Sequence, residues 1–125
     1  MSDIPEKKAI VVVEDNEAIG ELIRDTLNAE PDYQAAIVRD GSLAIEAIRS
    51  VKTCLILLDI NLPGLNGLQI YDMLQNDEAT SGIPVLFVTA SPDPKEFEKR
   101  NITTFVAKPF DLVELLTQVA KVCRS

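Results

Sequence analysis

LILLDINLPGLNG, residues 55–67, is the stretch on which the fold turns. Leu55, Ile56, Leu57 and Leu58 are four consecutive large apolar residues. A run that short, apolar on both faces, fits a central parallel strand with helices over both sides. It ends on Asp59, and Pro63, Gly64 and Gly67 punctuate a turn after it. Because an ionised carboxylate is costly to bury, Asp59 is expected where the strand leaves the core and opens to water. Asp also begins turns for local reasons alone. The ends of the other strands decide between these two readings.

Residues 9–13, AIVVV, form a second all-apolar, β-branched run that ends on Glu14 and Asp15. Asn16 is positioned to cap the next helix, in which Ile19, Leu22, Ile23 and Leu27 share one face. Pro31 stops that helix. Residues 34–38 are a more polar strand, expected nearer a sheet edge. Asp40, Gly41 and Ser42 make a turn and cap, and Ala44, Ile45 and Ile48 face inward from a short amphipathic helix. After the Pro-Gly turn, residues 68–74 give another helix, with Gly67, Ile70, Tyr71 and Leu74 on one stripe. Residues 85–88 are a strand ending on Thr89. The helix at 93–100 is the weakest, since Pro92 and Pro94 limit its start and Phe97 is its one large apolar residue. Residues 104–107 make the fifth strand, which ends on Lys108 and Pro109. Asp111 caps the last helix, with Glu114 three residues on as a capping-box-like pair.

Strand and helix therefore alternate five times, which predicts an α/β, doubly wound parallel sheet with helices on both faces. For five strands the common order is 2-1-3-4-5, the flavodoxin-like arrangement, and ligands bind at the carboxyl ends of strands 1 and 3. Those two ends carry Glu14-Asp15 and Asp59. Thr89 and Lys108 end the fourth and fifth strands, so every polar candidate converges on one edge of one sheet.

Composition narrows the chemistry. A chain of 125 residues with 46% hydrophobic content is expected to form one domain with a proper core. A net charge of −8 argues against a nucleic-acid surface and suits a cation or a basic partner. There is no histidine, which removes Ser-His-Asp and Cys-His catalysis and the histidine zinc sites. Cys54 and Cys123 lack CxxC spacing and are expected to pack as small apolar groups in a reducing compartment rather than to bridge. Residues 1–8 are too polar for a signal peptide, and no apolar run approaches a membrane span. A cytoplasmic protein without membrane or direct nucleic-acid partners is the expectation.

Three carboxylates brought together repel and raise one another's pKa, and a divalent cation relieves this. Oxygen ligands without His or Cys favour a hard ion, Mg²⁺ or Mn²⁺. Mg²⁺ takes few carboxylates and commonly sits beside phosphate oxygens. Lys108 offers a charge suited to a phosphoryl group, Thr89 offers a hydroxyl, and a carboxylate can attack phosphorus to form an aspartyl phosphate. Taken singly, each of these residues is ordinary strand-end or turn chemistry; their joint register is not.

VVVEDN (11–16), LLDINLPGLNG (57–67), FVTAS (87–91) and FVAKPF (105–110), in this order and spacing, resemble the receiver domains of two-component response regulators. The resemblance covers roughly residues 8–123 and leaves residues 1–8 as an N-terminal tail before a receiver domain at 9–125. It implies that Asp59 is the phosphoacceptor. It implies that Mg²⁺ is bound by Asp15, Asp59 and the backbone carbonyl of Asn61, with Glu14 acting through water. Thr89 would hydrogen-bond the phosphoryl group and Lys108 would pair with it, while the small Ala90 leaves room. Phe105 falls at the position of the family's switch aromatic, Asn61 and Ser91 at the two positions that tune dephosphorylation, and Lys108-Pro109 at its cis peptide. The implied partner upstream is a sensor histidine kinase or histidine phosphotransfer protein. The implied output is a changed face on the fourth helix, fifth strand and fifth helix, read by a downstream protein or a separate output domain. Such a domain catalyses its own phosphorylation and dephosphorylation without being a turnover enzyme for an outside substrate. The start at Met1 and the short tail after the fifth helix favour a stand-alone, chemotaxis-type receiver.

Two other classes compete. One is a receiver-like interaction module that works without phosphorylation, which loss of Asp59, Lys108 or the acidic pair would favour; all are present. The other is a small enzyme on the same architecture, an aspartyl-phosphate phosphatase or a flavin carrier. The first needs a cap, for which there is no long insertion; the second needs aromatic or phosphate-binding loops, and the chain has no Trp and two Tyr.

Overall fold

A computed structural model of the chain describes residues 6–123. Residues 1–5 of the expected tail, and 124–125 of the expected domain, lie outside the described residues. The elements run β1 (Lys8–Val13), α1 (Glu17–Asn28), β2 (Tyr33–Val38), α2 (Gly41–Ser50), β3 (Thr53–Leu58), α3 (Gly67–Gln75), β4 (Val85–Thr89), α4 (Pro94–Lys99), β5 (Phe105–Ala107) and α5 (Leu112–Val122). The five strands form one parallel sheet in the order β2-β1-β3-β4-β5. The more polar β2 lies at an edge, as its composition predicts. Among the described residues no helix is long and apolar enough to cross a membrane.

The apolar runs are divided by pleat. Ile10, Val12, Leu55 and Leu57 point to one face, where Ile23, Leu27, Leu115 and Val119 of α1 and α5 cover them. Val11, Val13, Ile56 and Leu58 point to the other, beneath α2, α3 and α4. Successive strand residues alternate faces, so a strand covered on both sides must be apolar throughout.

Local chemistry sets the helix boundaries. Asn16 Oδ1 accepts the Ile19 N–H at 2.9 Å and starts α1. Asp40 accepts the Ser42 N–H at the start of α2, and Asp93, followed by Pro94, starts α4. The reciprocal capping box belongs to Asn66 and Gln69 on α3, not to Asp111 and Glu114 as the spacing predicts. Asp111 caps α5 by accepting the Val113 N–H at 2.7 Å. On α1 the expected inward Leu22 is 47% exposed, and Gly20 takes the buried position on that helix, against Ile37.

Cys54 and Cys123 do not pack as separate thiols. They form a disulfide between the start of β3 and the C-cap of α5, with Cα atoms 6.2 Å apart. That spacing lies within the range a disulfide spans. The two residues are 69 positions apart, so nothing local to either reveals the other.

Candidate functional site

The register of the sheet places the site. Val13 pairs with Leu58, and the ladder continues one residue further, where the Asp59 N–H donates to the Val13 carbonyl at 3.2 Å. Glu14 N–H donates to the Val38 carbonyl at 3.0 Å. At the other side Thr89 pairs with Ala107, and Lys108 N–H donates to the Thr89 carbonyl at 3.0 Å. Glu14, Asp59, Thr89 and Lys108 are thereby fixed by backbone bonds at the carboxyl edge. This is the switch point at which chain connections diverge from β1 and β3.

Asp59 does not open to water as its charge alone predicts. It is 6% exposed and Glu14 is 2% exposed. What offsets the burial is Lys108, whose Nζ donates to Asp59 Oδ2 at 2.8 Å and also to Glu14 Oε1. A buried carboxylate is tolerable when paired and hydrogen-bonded. Asp59 Oδ1 also accepts the Asn61 N–H at 3.3 Å, and Glu14 accepts the Asn16 N–H at 3.2 Å. Asp15 is exposed at the rim, yet one carboxylate oxygen each from Glu14, Asp15 and Asp59 falls within 4.8 Å of the others.

The electrostatics follow from that crowding. Burial pushes the Glu14 carboxyl above its ordinary pKa, against the lowering effects of Lys108 and the Asn16 N–H. Burial opposes the Lys108 ammonium, but its hydrogen bonds to Asp59 and Glu14 and their charges outweigh it and raise its pKa. The lysine therefore stays protonated between two acids.

Thr89 is fully buried, and its Oγ1 accepts the Ser91 N–H at 3.2 Å, leaving the hydroxyl proton to donate. Ala90 is exposed beside it. The Lys108-Pro109 peptide is cis. After β3 the turn folds back so tightly that a Cβ on Gly67 would collide with the Asp59 carbonyl oxygen, and Gly64 adopts a positive φ of 75°.

Phe105 is half-buried on β5 and packs against Phe97 of α4, with ring centroids 5.4 Å apart and the ring planes tilted by 57°. Phe97 meets Phe87 at 5.2 Å, and Phe87 meets Tyr71 at 5.7 Å. The short α4 is held in this row by Arg100, which donates twice to the Asp72 carboxylate of α3, both at 2.8 Å, and once to Glu96 Oε1 at 2.9 Å. The Glu96-Arg100 spacing is legible as an i,i+4 pair. The Arg100-Asp72 clamp, across 28 positions, has no local signature.

A doubly wound α/β domain with acids and a lysine at its switch point is what the geometry defines. The family profile described as the response regulator receiver domain matches residues 10–120, and the chain belongs to that family. The DNA-binding response regulator MtrA of Mycolicibacterium smegmatis is 33% identical over 116 residues, 90% of this chain and 49% of that protein. The chain thus spans about half the length of the first curated relatives it matches. The polar-differentiation response regulator DivK of Brucella ovis is 31% identical, over 90% of this chain and 93% of that one. Among solved structures, the receiver domain of a Pseudomonas aeruginosa sensor histidine kinase is 25% identical with a TM-score of 0.85, over 96% of this chain and all of that one. That domain has a magnesium ion coordinated in its active-site cleft.

Proposed function

We propose that this receiver domain accepts a phosphoryl group on Asp59 from a histidine kinase or a histidine phosphotransfer protein. The observation that carries the reading is the buried Glu14-Lys108-Asp59 cluster, with Asp15 at its open rim. Its donor set fits Mg²⁺: three carboxylates are gathered with one lysine, so the cluster has negative charge left for a hard cation. Asp15, Asp59 and the Asn61 carbonyl would hold the ion, with Glu14 acting through a water molecule; Mn²⁺ has the same ligand preferences. When bound, the ion supplies charge neutralisation for the phosphoryl oxygens.

The chain's own residues do the rest. An Asp59 carboxylate oxygen attacks phosphorus as the bond from phosphorus to the donor's imidazole nitrogen breaks. Lys108, already on Asp59, pairs with the incoming phosphoryl oxygens. Thr89 donates its free hydroxyl proton to them. Phe105 then turns inward and leaves Phe97, which alters the face made by α4, β5 and α5. Phosphorylation and partner binding on that face are reciprocally linked. The reading makes the protein a self-modifying phosphoacceptor, working in the cytoplasm and signalling to a protein partner or output domain.

Intact mass after incubation with Mg²⁺ and acetyl phosphate tests this. One added phosphoryl group on the wild type, absent from Asp59→Asn and absent with excess chelator, is the expected result. A product too short-lived to weigh is covered by beryllofluoride, a stable mimic. Failure of both the phosphoryl group and beryllofluoride to bind would overturn the assignment.

A further inference from the structure

The disulfide lies at the end of the sheet opposite the acidic cluster, and the proposed function does not use it. Its two sulfurs are unequally placed. Cys123 is 2% exposed, beneath the α1 and α5 face. Cys54 is half-buried and lines a cavity of about 750 Å³ at the amino ends of β1, β2 and β3. Lys7, Lys8 and Lys52 line the same cavity, with Glu6 the one acidic residue lining it among the described residues. In a chain of net charge −8 this is a local concentration of positive charge. Lys8 Nζ also donates to the Cys123 carbonyl oxygen at 3.2 Å, so one of these lysines bonds the backbone of the buried cysteine while lining the cavity that Cys54 faces.

We infer that Cys54 and Cys123 form a reversible thiol–disulfide exchange site whose small-molecule partner is an anionic low-molecular-weight disulfide, taken up in the lysine-lined cavity. In the oxidising direction the Cys54 thiolate attacks one sulfur of R–S–S–R, forming the Cys54–S–S–R mixed disulfide and releasing one thiolate, RS⁻. The Cys123 thiolate then attacks the Cys54 sulfur, forming the protein disulfide and releasing the second RS⁻. Two protein thiols lose two protons and two electrons, and the small disulfide becomes two thiols. Excess RSH runs both steps backwards. Cys54 reacts first because it alone of the two lines the cavity, and the ammonium groups of that cavity attract the carboxylates of the incoming molecule.

The probe is glutathione disulfide, applied to the full-length, pre-reduced protein under native conditions, with acid quench, alkylation and intact mass. Wild type is expected to lose both alkylation sites. Cys123→Ser is expected to stop at one glutathionyl group, mapped to Cys54, while Cys54→Ser reacts many-fold more slowly. Lys7→Gln combined with Lys52→Gln should slow the reaction with glutathione disulfide several-fold and leave that with uncharged 2-hydroxyethyl disulfide unchanged. Adding salt should narrow the same gap. Cys123→Ala, and far-UV circular dichroism of every variant, guard against a misfolded serine variant. The inference is overturned if folded Cys123→Ser and Cys123→Ala take no adduct. It is equally overturned if excess reduced glutathione opens the bond only in denaturant, because the linkage is then a fixed staple. Loss of rate toward both disulfides in the lysine variant would overturn the anionic preference.

Discussion

Replacing Lys108 by Met removes the charge that holds two buried carboxylates together while keeping the apolar stem. Carboxylate oxygens of Glu14 and Asp59 lie within 4.8 Å of each other. At the effective dielectric that suits such pairs, two unit charges at that distance repel by about 3 kcal/mol. Breaking a buried ion pair by removing one partner costs about 3–5 kcal/mol, because the remaining charge is desolvated without compensation. Urea unfolding at pH 8 in chelator is therefore expected to show Lys108→Met less stable by about 3–5 kcal/mol. Two conditions should shrink the gap. Saturating Mg²⁺ restores a positive charge, and each 1.4 kcal/mol recovered corresponds to about tenfold tighter Mg²⁺ binding by the variant than by wild type. Lower pH also restores stability. A carboxyl whose folded pKa is raised binds its proton more tightly when folded, so its penalty is greatest above the folded pKa. That penalty fades as pH falls toward the ordinary value of 4.5. A loss that is the same with chelator, with Mg²⁺ and at low pH would refute the electrostatic account and leave Lys108 as a packing residue.

Phe97→Ala should cost about 3–5 kcal/mol in urea unfolding, since a buried ring between Phe87 and Phe105 is lost from a helix of six residues. Reducing the Cys54-Cys123 bond, which joins positions 69 apart, should lower stability by about 4 kcal/mol on chain-entropy grounds, read as the shift between melts with and without reductant. The Asp40 carboxyl, held below its ordinary 3.8 by the Ser42 hydroxyl and N–H, should titrate low by carbon-detected NMR. Its cap on α2 is present above the unfolded value and is lost as pH falls through the folded one.

The strand ends were legible because the fold's regularity makes them so. Once 9–13, 55–58, 85–88 and 104–107 read as strands in alternation with helices, the 2-1-3-4-5 order brought Glu14, Asp59, Thr89 and Lys108 to one edge without any contact being known. The short α4 was legible from Pro92 and Pro94. Pairings that close over long separations were not legible. The burial of Asp59 depends on Lys108, 49 positions away, so its own neighbours point to an exposed acid. Cys54 and Cys123 fail for the same reason, and so does the clamp from Arg100 to Asp72. Leu22 fails differently. Helical spacing gives a face its centre but not its width, and α1 turns Gly20 rather than Leu22 into the core.

The fifth strand has three residues and pairs on one side only, with β4. Elements with few ladder bonds open below the free energy of global unfolding. Amide hydrogen exchange should find β5 leaving the sheet while β1 and β3 stay protected. Because Lys108 directly follows that strand, each such opening takes the lysine away from Glu14 and Asp59. The rate at which β5 amides exchange is therefore expected to set how often the lysine leaves the acidic cluster. The bond from Cys123 to Cys54 moors the far end of α5 to β3, so reducing it is expected to speed exchange of the β5 amides.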